Sequence, residues 1–379
     1  ALAVGGFGIG TSEFATMGLM PSIAENLGVS EPQVGHLISA YALGVVLGAP
    51  ILAIAGARLF RRSLLIGLMV FYALANLATA LAPNYATLVA VRFVSGLPHG
   101  TYLGVAALVV ASLSPPGDRG KAVSRVMIGL TLAILVGNPL ATWLGQSQSW
   151  RYVYALVAAF SVLTLVLLAL FLPLDRQQKR NRPFGEVRAF NRPQVWLALL
   201  IGAIGFAGMF CVFSYLATTL LKVTQVGKGW IPIAMAVFGL GGVIGNLVGG
   251  WLFDKLQFRA VGVVLGYSLL VFLVFPVASA QLWSILLASF LVGTLGAMPA
   301  PLQTHLMDVA EGAQTLAAAS HHAAFNAANA LGPWLGGLAI SAGLGWSSTG
   351  YVGAATSLVG LLVFALAWRW QPSRQSAVS

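Results

Sequence analysis

Few side chains of this 379-residue chain could exchange protons in an apolar environment, because 8% of its residues are charged and 58% are hydrophobic. Glu13 and Arg92 both lie within long apolar runs. A charge in the interior of a bilayer costs at least about 2.5 kcal/mol, so a residue that carries one is a candidate for function. His99 follows Arg92 by seven residues and falls on the same helical face. We predict that Glu13 takes up and releases a proton, with Arg92 and His99 as its partners.

Each of these three residues also has a structural interpretation. Glu13 and Arg92 could form a permanent ion pair that holds two helices in register. His99 could be a neutral histidine that is hydrogen-bonded to a neighbouring helix. These alternatives stay open, because the sequence alone does not show which side chains meet.

A second group of polar residues is typical of ligand binding. His322, Asn326 and Asn329 are four and three residues apart, so they form one stripe on a helix. Such a stripe suits a hydroxyl-rich ligand, although Asn and His also join packed membrane helices by hydrogen bonds. The adjacent His321 and His322 point about 100° apart, and with the single cysteine of the chain they provide no closed set of metal ligands. The remaining candidates for substrate binding are Tyr41, Asn138 and Tyr215.

These residues lie on or beside twelve apolar runs of about 20 residues, the length that spans a bilayer core. The mean hydropathy of the chain is +0.88, so water is not its main solvent. All twelve runs should be helices, because the bilayer offers no hydrogen-bond partner to a free backbone group. The predicted fold class is therefore an all-α polytopic membrane protein. The predicted spans are residues 1–20, 33–55, 63–82, 86–112, 122–145, 152–173, 193–220, 231–253, 260–279, 282–307, 315–341 and 348–367.

The net charge of +11 could indicate a nucleic-acid partner, so the positions of the basic residues matter more than their number. The chain has 20 Lys and Arg residues. Arg92 lies within a span, and the other nineteen lie in loops or near span ends. Sixteen of these nineteen share one side of the membrane. The other three are Arg151, Lys222 and Lys228. Because cytoplasmic loops carry the excess of basic residues, we expect both termini in the cytoplasm of a bacterium, with the chain in the inner membrane and no nucleic acid bound.

The chain divides into two similar halves of six spans. We predict an N-terminal bundle over residues 1–174, a cytoplasmic linker over residues 175–192 and a C-terminal bundle over residues 193–379. Matching Gly, Phe and Pro residues recur at a separation of about 194 to 197 residues, such as Gly96 with Gly293. Transporters built from parallel repeats bind substrate at the midplane between the repeats. At the same separation Glu13 corresponds to Phe210 and Arg92 to Ser289, so the fold alone does not require either charge.

Several short stretches resemble the major facilitator superfamily, and within it the drug and sugar efflux branch of arabinose-efflux-like permeases and drug:proton antiporters. Residues 18–24 read GLMPSIA and are similar to the family's Leu-Pro-x-Ile-Ala turn at the end of the first helix. Residues 92–96 read RFVSG, similar to an Arg-x-x-x-Gly signature, and residues 150–152 read WRY, similar to the usual opening of the sixth helix. The resemblance implies two pseudo-symmetric six-helix bundles that work by alternating access.

The chain departs from the family pattern at two motifs. In the loop after the second helix, Phe60 stands at the family's Asp position, before Arg61 and Arg62. The matching stretch of the second half keeps its acid and base as Asp254 and Lys255, so these four charged residues are the candidates for a cytoplasmic gate. The antiporter pattern Gly-Pro-x-x-Gly-Gly is degraded to NPLATW at residues 138–143 and intact as GPWLGG at residues 332–337.

The expected function is proton-coupled export of a small organic solute such as a sugar, metabolite or drug. A facilitator or a proton-driven importer is the alternative within transport, and a membrane-embedded enzyme or a non-transporting sensor is the alternative outside it. The sequence has no Gly-Lys-Ser/Thr after its glycine runs and no catalytic motif, so we expect neither direct use of ATP nor an enzyme. We expect no cofactor, with the proton gradient as energy source. The expected partners are substrate, protons and the bilayer, and the expected state is a monomer.

Overall fold

A computed structural model describes residues 1–56, 59–115, 119–173, 191–310 and 314–370 of the chain. These residues form twelve long helices, and the described ranges contain no strand. The predicted linker lies outside the described residues except for Asn191 and Arg192. The helices are α1 Leu2–Leu27, α2 Glu31–Gly56, α3 Arg61–Leu81, α4 Tyr85–Leu113, α5 119–147, α6 Trp150–Phe171, α7 Pro193–Lys222, α8 Trp230–Leu256, α9 Arg259–Ala278, α10 Leu282–Val309, α11 Gln314–Ser341 and α12 Ser348–Arg369.

Each predicted span coincides with one of these helices, which confirms the fold class. The first span is the one whose predicted end is wrong by several residues, because α1 continues through Pro21 to Leu27. Proline removes one backbone donor but does not stop this helix. The helix ends instead at Gly28, whose φ of 63° lies in the left-handed region that glycine adopts without strain.

Three of the helices are locally irregular. A π-helical turn interrupts α5 at Ala133–Gly137, and another interrupts α7 at Ile201–Gly205. In α10 the break is a 3₁₀ turn at Thr294–Ala297. Pro139 and Pro299 follow the breaks in α5 and α10, where their missing N–H groups disturb the regular hydrogen bonding.

The two halves repeat the same close helix packing. A β-carbon on Gly44 would collide with the backbone oxygen of Phe93, and one on Gly96 would collide with the backbone oxygen of Tyr41. These contacts join α2 to α4. In the second half, Gly241 and Gly293 make the corresponding contacts between α8 and α10, 197 positions later in the chain. Small residues at these positions let the helix backbones touch.

The most extensive contacts between the halves are made by three helix pairs: α1 with α7, α2 with α11, and α5 with α8. The first helix of each half lies at the centre, since residues 8–20 of α1 and residues 205–220 of α7 are buried throughout. Ten of the helices are long and apolar enough to cross a membrane by length and composition. The other two, α1 and α11, contain 26 and 28 residues and are less apolar because they carry the polar side chains of the candidate site.

Candidate substrate and proton site between the two halves

Glu13 lies in the middle of the central helix α1, at the contact between the halves. Its side chain is 7% exposed, and among the described residues it is the one buried acid. The helix fits closely against its own half because it carries glycines, among them Gly10 against Ala133 of α5. On the other side of α1, the Phe14 ring packs against the Phe213 ring of α7, with their centroids 6.2 Å apart. Glu13 is therefore surrounded by close packing at the contact between the halves.

The carboxylate of Glu13 contacts the second half directly. Its Oε1 accepts a hydrogen bond from Nδ2 of Asn329 in α11, at 3.0 Å. Both side chains are buried, and Oδ1 of Asn329 has no hydrogen-bond partner. A hydrogen bond to a carboxylate is roughly twice as strong as one between neutral groups, so the charge on Glu13 governs how tightly the halves are joined here.

Arg92 does not pair with Glu13. Its guanidinium donates to Oγ of Ser12 at 3.1 Å and to the backbone oxygen of Ser12 at 3.2 Å, and Ser12 donates in turn to Asn76 at 2.8 Å. The guanidinium also lies over the Tyr41 ring, 4.2 Å from its centroid. No ion pair between described residues joins Arg92 and Glu13, so the permanent ion pair considered from the sequence is not formed. Arg92 instead binds α1 one residue before Glu13.

His99 belongs to a chain of hydrogen bonds within the first half. Its Nδ1 lies 3.0 Å from the hydroxyl of Tyr41, which lies 3.0 Å from the hydroxyl of Tyr72. Tyr72 donates to the backbone oxygen of Ile9 in α1 at 3.4 Å. Hydroxyl and imidazole groups can both donate and accept, so this chain has the chemistry of a proton relay. Tyr41, predicted as a substrate-binding aromatic residue, is buried and hydrogen-bonded inside this chain.

The polar stripe of α11 faces the first half. Asn329 contacts Glu13, while His322 is close enough to His99 to interact with it electrostatically. Trp334 and Leu338 are exposed and mark the lipid-facing side of α11. His322 is exposed too, but it points roughly 120° away from Trp334 and roughly 160° away from Leu338 around the helix. The exposed surface of His322 is therefore turned toward the space between the halves.

Two amides near this space have unused hydrogen-bonding groups. Asn326 donates to the backbone oxygen of His322 at 3.0 Å, and its Oδ1 has no partner. Asn138 of α5 accepts from Thr142 at 3.5 Å, and its Nδ2 has no partner. A buried polar atom without a partner is costly, and a ligand that supplies the missing group relieves that cost.

Tyr215 of α7 is the last predicted substrate-binding residue, and it contacts α11 one turn after Asn329. Its hydroxyl donates to the backbone oxygen of Pro333 at 2.8 Å, and its ring packs against Gly336. A β-carbon on Gly35 of α2 would lie 2.5 Å from the same hydroxyl, so Tyr215 also fills the contact between the halves. In this conformation Tyr215 fills the space between α2, α7 and α11, one turn of α11 after the polar stripe.

The four gate candidates lie at the end of the bundle that the charge bias predicts to be cytoplasmic, and the structure does not bring them together. Arg62 donates to the backbone oxygen of Ala169 in its own half. Asp254 and Lys255 are exposed, and Lys255 lies over the Trp251 ring, 4.6 Å from its centroid. No ion pair between described residues joins Arg61 or Arg62 to either of them.

A charged contact that the sequence reasoning missed closes the opposite end of the bundle. Lys222 of α7 pairs with Glu31 of α2 at 2.8 Å, and Lys228 pairs with Glu25 of α1 at 3.4 Å. Both pairs join the two halves, and Ser39 of α2 also donates to α11 at 2.7 Å. The signal was present in the sequence, because Lys222 and Lys228 are two of the three basic residues predicted to lie outside, and Glu25 and Glu31 lie between the first two predicted spans. Within the described ranges, no three His, Cys, Asp or Glu side chains are grouped to hold a metal ion.

The chain is similar to a family of known proteins in both sequence and structure. The sequence model of the Major Facilitator Superfamily matches residues 2–311 and 233–379. The inner membrane transport protein YdhP of Escherichia coli strain K12 is 38% identical over 377 residues, which cover 98% of this chain and 96% of YdhP. A chloramphenicol resistance protein of Streptomyces lividans is 33% identical over 88% of this chain and 86% of its own. The crystal structure of a D-xylose–proton symporter superposes with a TM-score of 0.76 at 16% identity, covering 98% of this chain and 96% of the symporter.

Proposed function

The chain belongs to the major facilitator superfamily, and we propose that it exports a small organic solute in exchange for protons by alternating access. Membership of the family makes the chain a membrane transporter with a small-molecule substrate. The proposal adds the direction of transport, the coupling to protons and the role of Glu13. The single observation that carries it is the hydrogen bond between Glu13 of the first half and Asn329 of the second.

This bond has the property that an exchanger needs. An exchanger must not change conformation when it carries neither proton nor substrate. If the empty protein could change conformation freely, protons would flow down their gradient without any export of substrate. With Glu13 charged, the bond to Asn329 is charge-assisted and holds the halves together. A proton on Glu13 weakens the bond and releases the halves. A substrate that donates to the free Oδ1 of Asn329 polarises the amide and favours the charged carboxylate, so it opposes the proton, and its own contacts with both halves drive their movement. The empty protein stays locked.

The surroundings of Glu13 support its role as the proton-binding residue. The corresponding position in the second half is Phe210, so the shared fold does not need an acid here. Arg92 binds the backbone next to Glu13 without neutralising it in an ion pair. The chain of Tyr72, Tyr41 and His99 provides hydroxyl and imidazole groups that begin at α1 and lead toward His322.

The direction of transport rests on different support. The Streptomyces lividans relative is named a chloramphenicol resistance protein, and a membrane transporter can confer resistance by exporting the drug. The intact GPWLGG stretch of α11 resembles the antiporter pattern. The excess of basic residues in the predicted cytoplasmic loops supports an orientation with both termini inside.

Proton release on substrate binding tests this proposal. Purified protein in weakly buffered detergent solution is mixed with chloramphenicol, and separately with D-xylose, while a pH indicator reports protons and thermal unfolding reports binding. We expect a compound that binds to release protons from the native protein but not from a Glu13→Gln variant. Equal release by both proteins, or binding without any proton release across pH 5–9, would count against proton exchange at Glu13.

A further inference from the structure

A groove between α9 and α12 lies outside the proposed transport site. It is located where α9 begins and α12 ends, it is open toward the outside of the bundle, and its volume is about 610 Å³. Its floor is apolar and includes Gly262 and Phe364, and its rim carries Arg259, Arg369 and Trp368.

The rim is positively charged, and an aromatic ring positions one of its two arginines. The Arg259 guanidinium lies over the Trp368 ring, 5.2 Å from its centroid. Trp368 is itself packed against Phe258 and Phe364, at centroid distances of 6.2 and 6.1 Å. No acid within the described residues forms an ion pair with Arg259 or Arg369. Two guanidinium groups therefore stand at one end of the groove without a counter-charge from the described residues.

The floor of the groove faces the lipid side of the bundle. A β-carbon on Gly262 would lie 2.5 Å from the Phe364 ring, so the absence of a side chain there lets the ring sit close to the α9 backbone. Val263, beside it, is 50% exposed, as expected for a side chain that meets lipid. A ligand in this groove would thus meet apolar surface along its length and two cations at one end.

We propose that this groove binds an anionic glycerophospholipid. The guanidinium groups of Arg259 and Arg369 bind the headgroup phosphate, and an acyl chain lies on the apolar floor. Arginine matches phosphate well because its planar group donates two parallel hydrogen bonds. Basic pockets between membrane helices at the cytoplasmic face bind anionic headgroups in the same way. A soluble phosphate ion would leave the apolar floor uncovered, which favours the lipid.

Lipid counting by native mass spectrometry of the whole detergent-solubilised protein tests this proposal. Phosphatidylglycerol is titrated in parallel with phosphatidylcholine of the same acyl chains and with inorganic phosphate. The test variant is Arg259→Gln with Arg369→Gln, and the matched control is Arg125→Gln, which removes an exposed basic residue from the start of α5. Each arginine near the membrane surface strengthens the binding of an anionic lipid about fivefold. We therefore expect the double variant to bind phosphatidylglycerol about 30-fold more weakly. Arg125→Gln should bind it like the native protein.

Three results would overturn the proposal. Equal binding of phosphatidylglycerol and phosphatidylcholine by the native protein would show that charge is not recognised. Unchanged phosphatidylglycerol binding by the double variant would place the lipid elsewhere. Displacement of the bound lipid by millimolar inorganic phosphate would show a phosphate site with no contribution from the groove floor. Circular dichroism and thermal unfolding of the double variant and of Arg125→Gln confirm that the compared proteins are folded.

Discussion

Among single residues, Asn329 has the most informative position, because it joins the proposed proton-binding residue, Glu13, to the opposite half of the molecule. Its Nδ2 donates to Glu13, and its Oδ1 is free to accept a hydrogen bond from a ligand. In the proposed exchange, one amide connects the proton and the substrate. The proposed coupling is a difference in hydrogen bonding at this residue, and it requires no contact between substrate and Glu13.

Replacing Asn329 by Ala should uncouple transport without abolishing it. The variant removes the bond that holds the empty protein, so we expect it to carry substrate downhill without a counter-moving proton. The lost bond to a charged group corresponds to about 2 kcal/mol, or roughly a 30-fold rise in uncoupled crossing. Efflux from proteoliposomes with and without a pH gradient measures both rates. Asn246→Ala, which removes an exposed amide of α8, is the matched control. Tight coupling in Asn329→Ala would show that the bond is not the lock.

At the level of helices, the start of α2 and the end of α7 are joined by an ion pair on the side opposite the exposed Asp254 and Lys255, and we propose that they form a gate. The Lys222–Glu31 pair is partly buried, since the side chain of Glu31 is 15% exposed, and the Lys222 ammonium also lies 4.7 Å from the centroid of the Trp346 ring. Lys228 and Glu25 are 60% and 76% exposed, and such exposed pairs contribute little. The first pair is therefore the principal ionic contact that keeps these helix ends together.

A charge swap tests this gate. Lys222→Glu places two acids face to face, so the halves should separate at this end and the transport rate should fall several-fold. Lys222→Glu combined with Glu31→Lys restores the pair and should recover most of the rate. Spin labels at the start of α2 and the end of α7 measure the distance between them by double electron–electron resonance spectroscopy. Lys228→Glu, which changes the exposed ion pair, is the control. A double variant as slow as the single one would mean that the pair does not form the gate.

The glycine contacts between helices predict opposite effects of the same substitution at two sites. Gly241→Ala places a β-carbon against the backbone oxygen of Phe290, so we expect a loss of about 1–3 kcal/mol from overpacking. Gly266 of α9 has nothing within 4 Å of its β-carbon position, and alanine there should stabilise the helix by about 0.5–1 kcal/mol. Thermal unfolding in detergent separates the two. Equal effects would contradict the close approach of α8 and α10.

For the whole molecule, the sequence predicts those features that depend on one segment at a time. The twelve spans follow from apolar runs long enough to cross a bilayer. The similarity of the two halves follows from glycines that recur at a fixed separation. The partners of Glu13 and Arg92 could not be predicted in this way. Glu13 and Asn329 are 316 residues apart, and their contact depends on how α1 and α11 are rotated toward each other. The pairing of Lys222 with Glu31 likewise requires the arrangement of both halves, although the opposite charges were visible.

The central claim is that the proton and the substrate exchange through Glu13, and transport by a Glu13→Gln variant tests it most directly. Glutamine mimics the protonated acid, so the variant should still bind substrate and still change conformation. In proteoliposomes it should therefore exchange labelled for unlabelled solute across the membrane. It should fail to accumulate the solute that elicits proton release when a pH gradient is imposed, whereas the native protein accumulates it. Accumulation driven by the pH gradient in Glu13→Gln would contradict the account.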